Sequence, residues 1–270
     1  MSFNLDALVV DRVLRITKVN PSDSRIIWTG SHFKDGTLTC DGESVTAKDE
    51  VGTPIGQFDR SKSAKFTATN AVISLNVLSD QIGATKEVAS ATAKINTPAI
   101  ELFSTAKGAK TYELKYTPIT TSVKYIYAMK DNGAQADEIP LVSDAGTTGF
   151  TLAGKKITFG SDVVTDDVTF FIRYEYEAEE AVKIVNKADV FSSTGLYDIE
   201  VLFRDICDQS LKQFGHIIFE RGKMANSAEL KLDPEADQSI EIDALVPYCT
   251  ANKELWKIII PKDTVTEDKK

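Results

Sequence analysis

Histidine and cysteine are the scarce residues of this 270-residue chain: two His, at 32 and 216, and three Cys, at 40, 207 and 249. The histidines are far apart in sequence and no two cysteines stand in a C-x-x-C spacing. No zinc site and no Ser-His-Asp or Cys-His catalytic set is supported by that spacing. An odd cysteine count without framework spacing reads as free, core-like thiols. Long apolar runs are missing as well; none approaches the roughly 18 residues of a membrane span. The first eleven residues carry acid where a signal peptide needs base, which predicts synthesis and folding in a cytoplasm. No period of 20–50 residues repeats, which sets aside solenoids and propellers.

What remains is ordinary for a globular protein, 42% hydrophobic and 26% charged. The length suits one large β domain or two smaller ones, with ample core. Net charge is −9, unevenly placed: residues 131–180 hold eleven acids against three basic residues. An acidic chain repels phosphates and is poorly suited to clinging to nucleic acid. That leaves plain solubility, or a surface past which nucleic acid slides without sticking.

Hydrophobic periodicity is mostly two. Tyr197, Ile199, Val201 and Phe203 alternate with polar residues, as do Leu230 with Leu232 and Ile240 with Ile242. Residues 191–245 therefore read as a meander of at least four strands, with turn chemistry over 233–238. A helix over 204–214 using Cys207, Leu211 and Phe214 is the lesser alternative. Val168, Phe170, Ile172, Tyr174 and Tyr176 form the strongest alternation, with Arg173 and Glu175 facing out. Earlier, residues 1–20 give an arm or first strand, and Ile26 to Trp28 start another. Lys34 to Gly36 and Asp41-Gly42 carry hairpin signals, and residues 44–48 and 55–59 read as hairpin arms around a 49–54 loop. Ala71, Leu75, Leu78 and Ile82 have the spacing of an amphipathic helix over 70–83, capped by Thr69 or Asn70, with Gly83 at C′. An extension over 86–94 after a break is the further reading, with Thr, Ser and Val there weighing against helix. Trp256 and Ile258 to Ile260 give a final strand stopped by Pro261.

Chemistry-bearing patterns reduce to chance matches. Gly149 to Lys156 resembles a phosphate loop but lacks the Ser or Thr after Lys and reads as a hairpin turn. Ser104 and Lys107 lack the companion motifs of serine acylases. Asp162 with Asp166 and Asp167, and Asp131 with Asn132 and Asp137, do not match a calcium loop. His216 reads as a hydrogen-bonded structural histidine. Carboxylate pairs leave a glycosidase unsupported rather than excluded. No cofactor and no metal is expected.

The order of these elements resembles the major tail (tail tube) proteins of long-tailed bacteriophages. The residues that carry the likeness are the hairpin and strand over 51–69, the helix over 70–83, the meander over 188–245 and the closing stretch 256–261. Residues 117–177, ending in Arg173, Tyr174, Glu175 and Tyr176, also resemble phage structural proteins. The resemblance implies a mainly β protein: an antiparallel sandwich or barrel with one flanking helix, over 1–116 and 181–262. An acidic β module or insertion is implied over 117–180, and a disordered tail over 263–270. It further implies a non-enzymatic virion protein, made in the host bacterial cytoplasm, that self-assembles into stacked hexameric rings forming a conduit for DNA. Tape measure and tail terminator proteins are implied partners, with DNA passing without sticking and no membrane involved. On that likeness Phe3 and Leu5 are expected to make arm contacts between subunits. The turn of Asp49, Glu50, Val51, Gly52, Thr53 and Pro54 is expected to make inter-ring contacts. Another virion component, such as a capsid decoration or tail completion protein, stays open, as does a carbohydrate-binding or adhesin module.

Overall fold

The computed structural model describes residues 8–130, 135–206, 212–231, 237–246 and 253–261. Strand makes up 59% and helix 4%, in antiparallel sheets, so the expected mainly β fold is the one that forms. The chain divides into two compact units, Met1–Lys86 with Ile184–Lys270, and Glu87–Lys183. The first unit begins with β1 (Leu8–Val19), β2 (Ile26–Ser31), β3 (Phe33–Lys48), β4 (Pro54–Asn70) and helix α1 (Leu75–Gln81). After β5 (Thr85–Val88), the second unit holds β6 (Ile95–Thr105), β7 (Thr111–Glu113), β8 (Tyr125–Met129), β9 (Gln135–Pro140), β10 (Phe150–Ala153), β11 (Lys156–Phe159) and β12 (Val168–Ala178). The chain returns through β13 (Val182–Val185), which pairs with β5, and finishes the first unit with β14 (Gly195–Asp205), β15 (Lys212–Met224), β16 (Gln238–Ala244) and β17 (Lys257–Ile259).

The first unit is one sheet in the order β2-β1-β14-β15-β16-β4-β3, with β17 also paired to β15. Its two ends are consecutive in sequence, since only His32 separates β2 from β3. The sheet must therefore curl on itself, and His32 makes the corner at φ 72°. Register brings the inward phase of each strand together: Ile16 opposite Ile199, Ile199 opposite Ile217, Tyr197 opposite Phe219, Ile242 opposite Phe66. All but the slightly exposed Ile217 and Phe66 are fully buried, each contributing about 1.5–3 kcal/mol of transfer free energy.

Several sequence expectations are corrected here. Lys34 to Gly36 is a bulge, with Asp35 at φ 56° and the register shifting between Lys34 and Thr37, and Gly42 lies inside β3. Glycine lets a strand bulge as readily as it lets a chain reverse, so these signals marked one long strand. Residues 85–88 form β5 instead of extending a helix. Leu230 makes only an isolated bridge to Gln238, while Leu232 lies outside the described residues, as do Cys207 and Leu211 of the alternative helix and the tail over 263–270.

Helix α1 is shorter than its apolar stripe and turned away from it. Ser74, not Thr69 or Asn70, is its N-cap, and Val77 with Gln81 are its buried residues, while Leu75 is exposed. Polar anchoring sets this orientation: the Gln81 amide donates to the carbonyls of Ser227 and Ser239, both at 3.1 Å. Gly83 does stand at C′, with φ 67°. Its N–H reaches the Asp80 carbonyl and that of Ala84 reaches Ser79, the 5→2 and 6→1 pair of a Schellman motif. A Cβ there would fall 2.5 Å from the Phe191 backbone, so glycine is needed twice over.

The second unit has a four-stranded sheet, β6-β12-β8-β9, and a three-stranded one, β10-β11-β7. One core joins them: Phe103, Ile126, Phe170, Ile172 and Tyr174 from the first, Phe150, Ile157 and Phe159 from the second. Val168 to Tyr176 keep the alternation read from sequence, with Phe170, Ile172 and Tyr174 fully buried. β6 and β7 lie before residue 117, yet β6 pairs with β12 along its whole length.

Each unit buries a tyrosine whose pKa is raised. Burial is the larger cause in both; Glu101 adds to it at Tyr174, and the charge of Asp80 adds to it at Tyr197. A phenol that resists ionisation only in the folded state stabilises fully below the unfolded value, near 10, and that stability drains away at higher pH. The melting temperature is thus expected to hold level up to about pH 10 and then fall. Replacing both residues by Phe is expected to flatten the fall; identical pH profiles for the two proteins would contradict this cause.

Candidate assembly interface

The most distinctive surface is the outer part of the β3–β4 hairpin. β4 pairs with β16 only over Lys65–Asn70, whereas β3 and β4 stay paired from Phe33 out to Lys48 and Pro54. Beyond residue 64 toward the tip, the two strands pair only with each other among the described residues. An isolated two-stranded ribbon is marginal in water, and this one exposes Val45, Val51, Ile55 and Phe58. Val45 and Phe58 face each other across the ribbon as a cross-strand pair.

The tip is Asp49 to Thr53, with Pro54 opening β4. Asp49 organises it: its carboxylate accepts the N–H of Thr53 at 2.7 Å and of Val51 at 3.0 Å, and its carbonyl accepts that of Gly52. The Thr53 amide first, then the others, hold the Asp49 carboxyl below the usual carboxylate range. Gly52 adopts φ 90°, and Val51 is 90% exposed. Glu50 is exposed beside it. Six of the eight residues expected at contacts are thus gathered on one ordered, solvent-facing tip. The other two, Phe3 and Leu5, lie outside the described residues.

Beneath the sheet end is a buried polar lock that sequence reading missed. Lys18 follows Ile16 in the inward phase of β1, and its side chain is wholly buried. Its ammonium donates to both carboxylate oxygens of Asp80 at 2.7 and 2.8 Å, and to the carbonyl and hydroxyl of Ser193 at 2.8 and 3.1 Å. Trp28 Nε1 donates to the same carboxylate at 2.9 Å. Burial pulls the Lys18 pKa down, against the opposing pull of Asp80. A lysine in phase with buried isoleucines is the signal that marks such a site; without its partner it is indistinguishable from a strand end.

The opposite face of the first sheet is half-buried and ion-paired. Glu200 lies 3.7 Å from Arg15, Asp198 2.9 Å from His216, Glu241 3.8 Å from Lys65, and Glu220 pairs with Lys257. The Asp198 contact gives His216 the hydrogen-bonded structural role expected of it. Asp243 adds a carboxyl whose pKa is raised, by burial first and by Glu241 second.

The chance motifs take structural places. Gly154, at φ 59°, turns the β10–β11 hairpin, as expected of the loop-like stretch. Lys107 pairs with Asp166 at 3.1 Å and its N–H donates to Asp167. Among the described residues no group of three or more His, Cys, Asp or Glu is placed to hold a metal. No helix among them is long and apolar enough to cross a membrane.

An antiparallel β scaffold with open edges and a projecting apolar hairpin is the class these features define. A model of the YomU/Tube protein family matches residues 8–258, and the chain belongs to that family, a phage tail tube family. No curated protein matches the chain. Membership makes it a structural protein of the phage tail, with a place in the virion and among other tail components.

Proposed function

We propose that copies of this chain join into hexameric rings that stack into a hollow tube through which DNA passes. The observation that carries this reading is the exposed β3–β4 ribbon, whose Val45–Phe58 pair has no cover among the described residues. β2 supports it as well: among the described residues this strand pairs with β1 alone and has no strand on its other edge, beside exposed Ile26 and Ile27. Head-to-tail pairing of unlike edges around an axis closes a ring, and the Asp49 to Pro54 tips then engage the next ring, with Phe3 and Leu5 as the second contact. The ion-paired sheet face suits the wall of the passage. Arg15, Lys65 and Lys257 are already matched by carboxylates, which weakens the grip this face offers to DNA phosphates. Tape measure and tail terminator proteins are the partners such a tube needs, and catalysis has no part in this reading. Light scattering over a concentration series tests it: growth from monomer to large particles is expected, and a monomer at every concentration and salt level overturns it.

A further inference from the structure

The four-stranded sheet of the second unit has one face in the core and one in solvent, and the solvent face carries an apolar cluster among charged and hydroxyl residues. Register sets Leu102 beside Phe171 and Phe171 beside Tyr127, with Ile100 beside Arg173 in the neighbouring row. Ile100 and Leu102 are 63% and 65% exposed, and Tyr125 is 42% exposed. The wet face of an antiparallel sheet normally alternates to polar residues, so a contiguous apolar patch here marks an interaction surface. The adjoining edge does not serve that purpose: Pro98 in β6 lacks the N–H that an added strand needs.

Size selects the partner. The whole face, four strands about 4.8 Å apart with about six residues each, spans only roughly 400 Å² per molecule, or about 800 Å² for a pair of surfaces, and the apolar cluster is part of it. Free-standing complexes bury about 1,200–2,000 Å². A face this small does not retain a diffusing partner, but it suffices between molecules already held together by other contacts, where effective concentration replaces affinity. Arg173 stands in the patch 3.7 Å from Glu175, so the face brings no unmatched arginine against a second copy. The geometry points to a second copy of this chain, within the same assembly, as the molecule that covers the Ile100–Leu102–Phe171 face. This rests on the self-assembly reading above.

The test is Leu102→Cys, with maleimide labelling followed at residue 102 by peptide mass spectrometry, in dilute protein and in assembled particles. Labelling at least about tenfold slower in the assembly is expected. Equal rates overturn the inference while leaving the tube reading intact. Slow labelling already in dilute protein overturns it too, because the chain then covers its own face. Absence of any assembly removes both readings. Hydroxyl-radical footprinting of Tyr125 and Tyr127 in the unaltered protein gives the same comparison without a substitution, with protection on assembly expected and unchanged oxidation counting against it.

Discussion

Asp80→Ala is expected to cost about 3–5 kcal/mol, enough to unfold much of a marginally stable domain. The substitution leaves the Lys18 ammonium wholly buried, with only Ser193 to accept its hydrogen bonds, and strips Trp28 Nε1 of its acceptor. It also removes the tie of α1 to β1 and β2, leaving Gln81 to hold the helix to the Ser227 and Ser239 carbonyls. The pair itself is not strongly stabilising, since desolvating both charges offsets most of their attraction. Lys18→Met combined with Asp80→Leu is therefore expected to recover most of the loss. Urea unfolding of the three proteins decides it. A double variant as unstable as Asp80→Ala would show that helix packing, not the stranded charge, sets the cost.

Val45→Thr with Phe58→Glu is expected to raise the concentration needed for assembly roughly 10–100-fold while leaving the melting temperature of the unassembled protein nearly unchanged. The two side chains are exposed in the single chain, and surface changes of that kind usually lie within about 0.5 kcal/mol. Across an interface each would otherwise bury apolar area at about 25 cal/mol per Å², and a carboxylate placed there stays solvated only if the contact opens. Pelleting at graded concentrations gives the first quantity and calorimetry the second. Normal assembly by the variant would remove the ribbon from the contact; a collapse in melting temperature would make its role structural.

The two expected results divide along what could be read in the chain. The ribbon was legible because its arms alternate and its tip carries Asp49, Gly52 and Pro54, all local signals. Its length was not, because glycine at 36 and 42 reads the same whether a strand bulges or ends. The lock was invisible for a different reason: Lys18, Trp28, Asp80 and Ser193 meet only when sheet register and helix orientation are both fixed. Helix α1 shows why apolar spacing alone misleads. The face holding Leu75 suits burial, but Gln81 hydrogen-bonds the Ser227 and Ser239 carbonyls and Asp80 pairs with the buried Lys18, and those contacts turned the helix.

Electron microscopy of the concentrated protein tests the central claim most directly. Uniform hollow tubes built from stacked six-fold rings are the predicted result, with the β3–β4 tips bridging one ring to the next. Discrete closed oligomers that never stack, or monomers alone at every salt concentration, would contradict it.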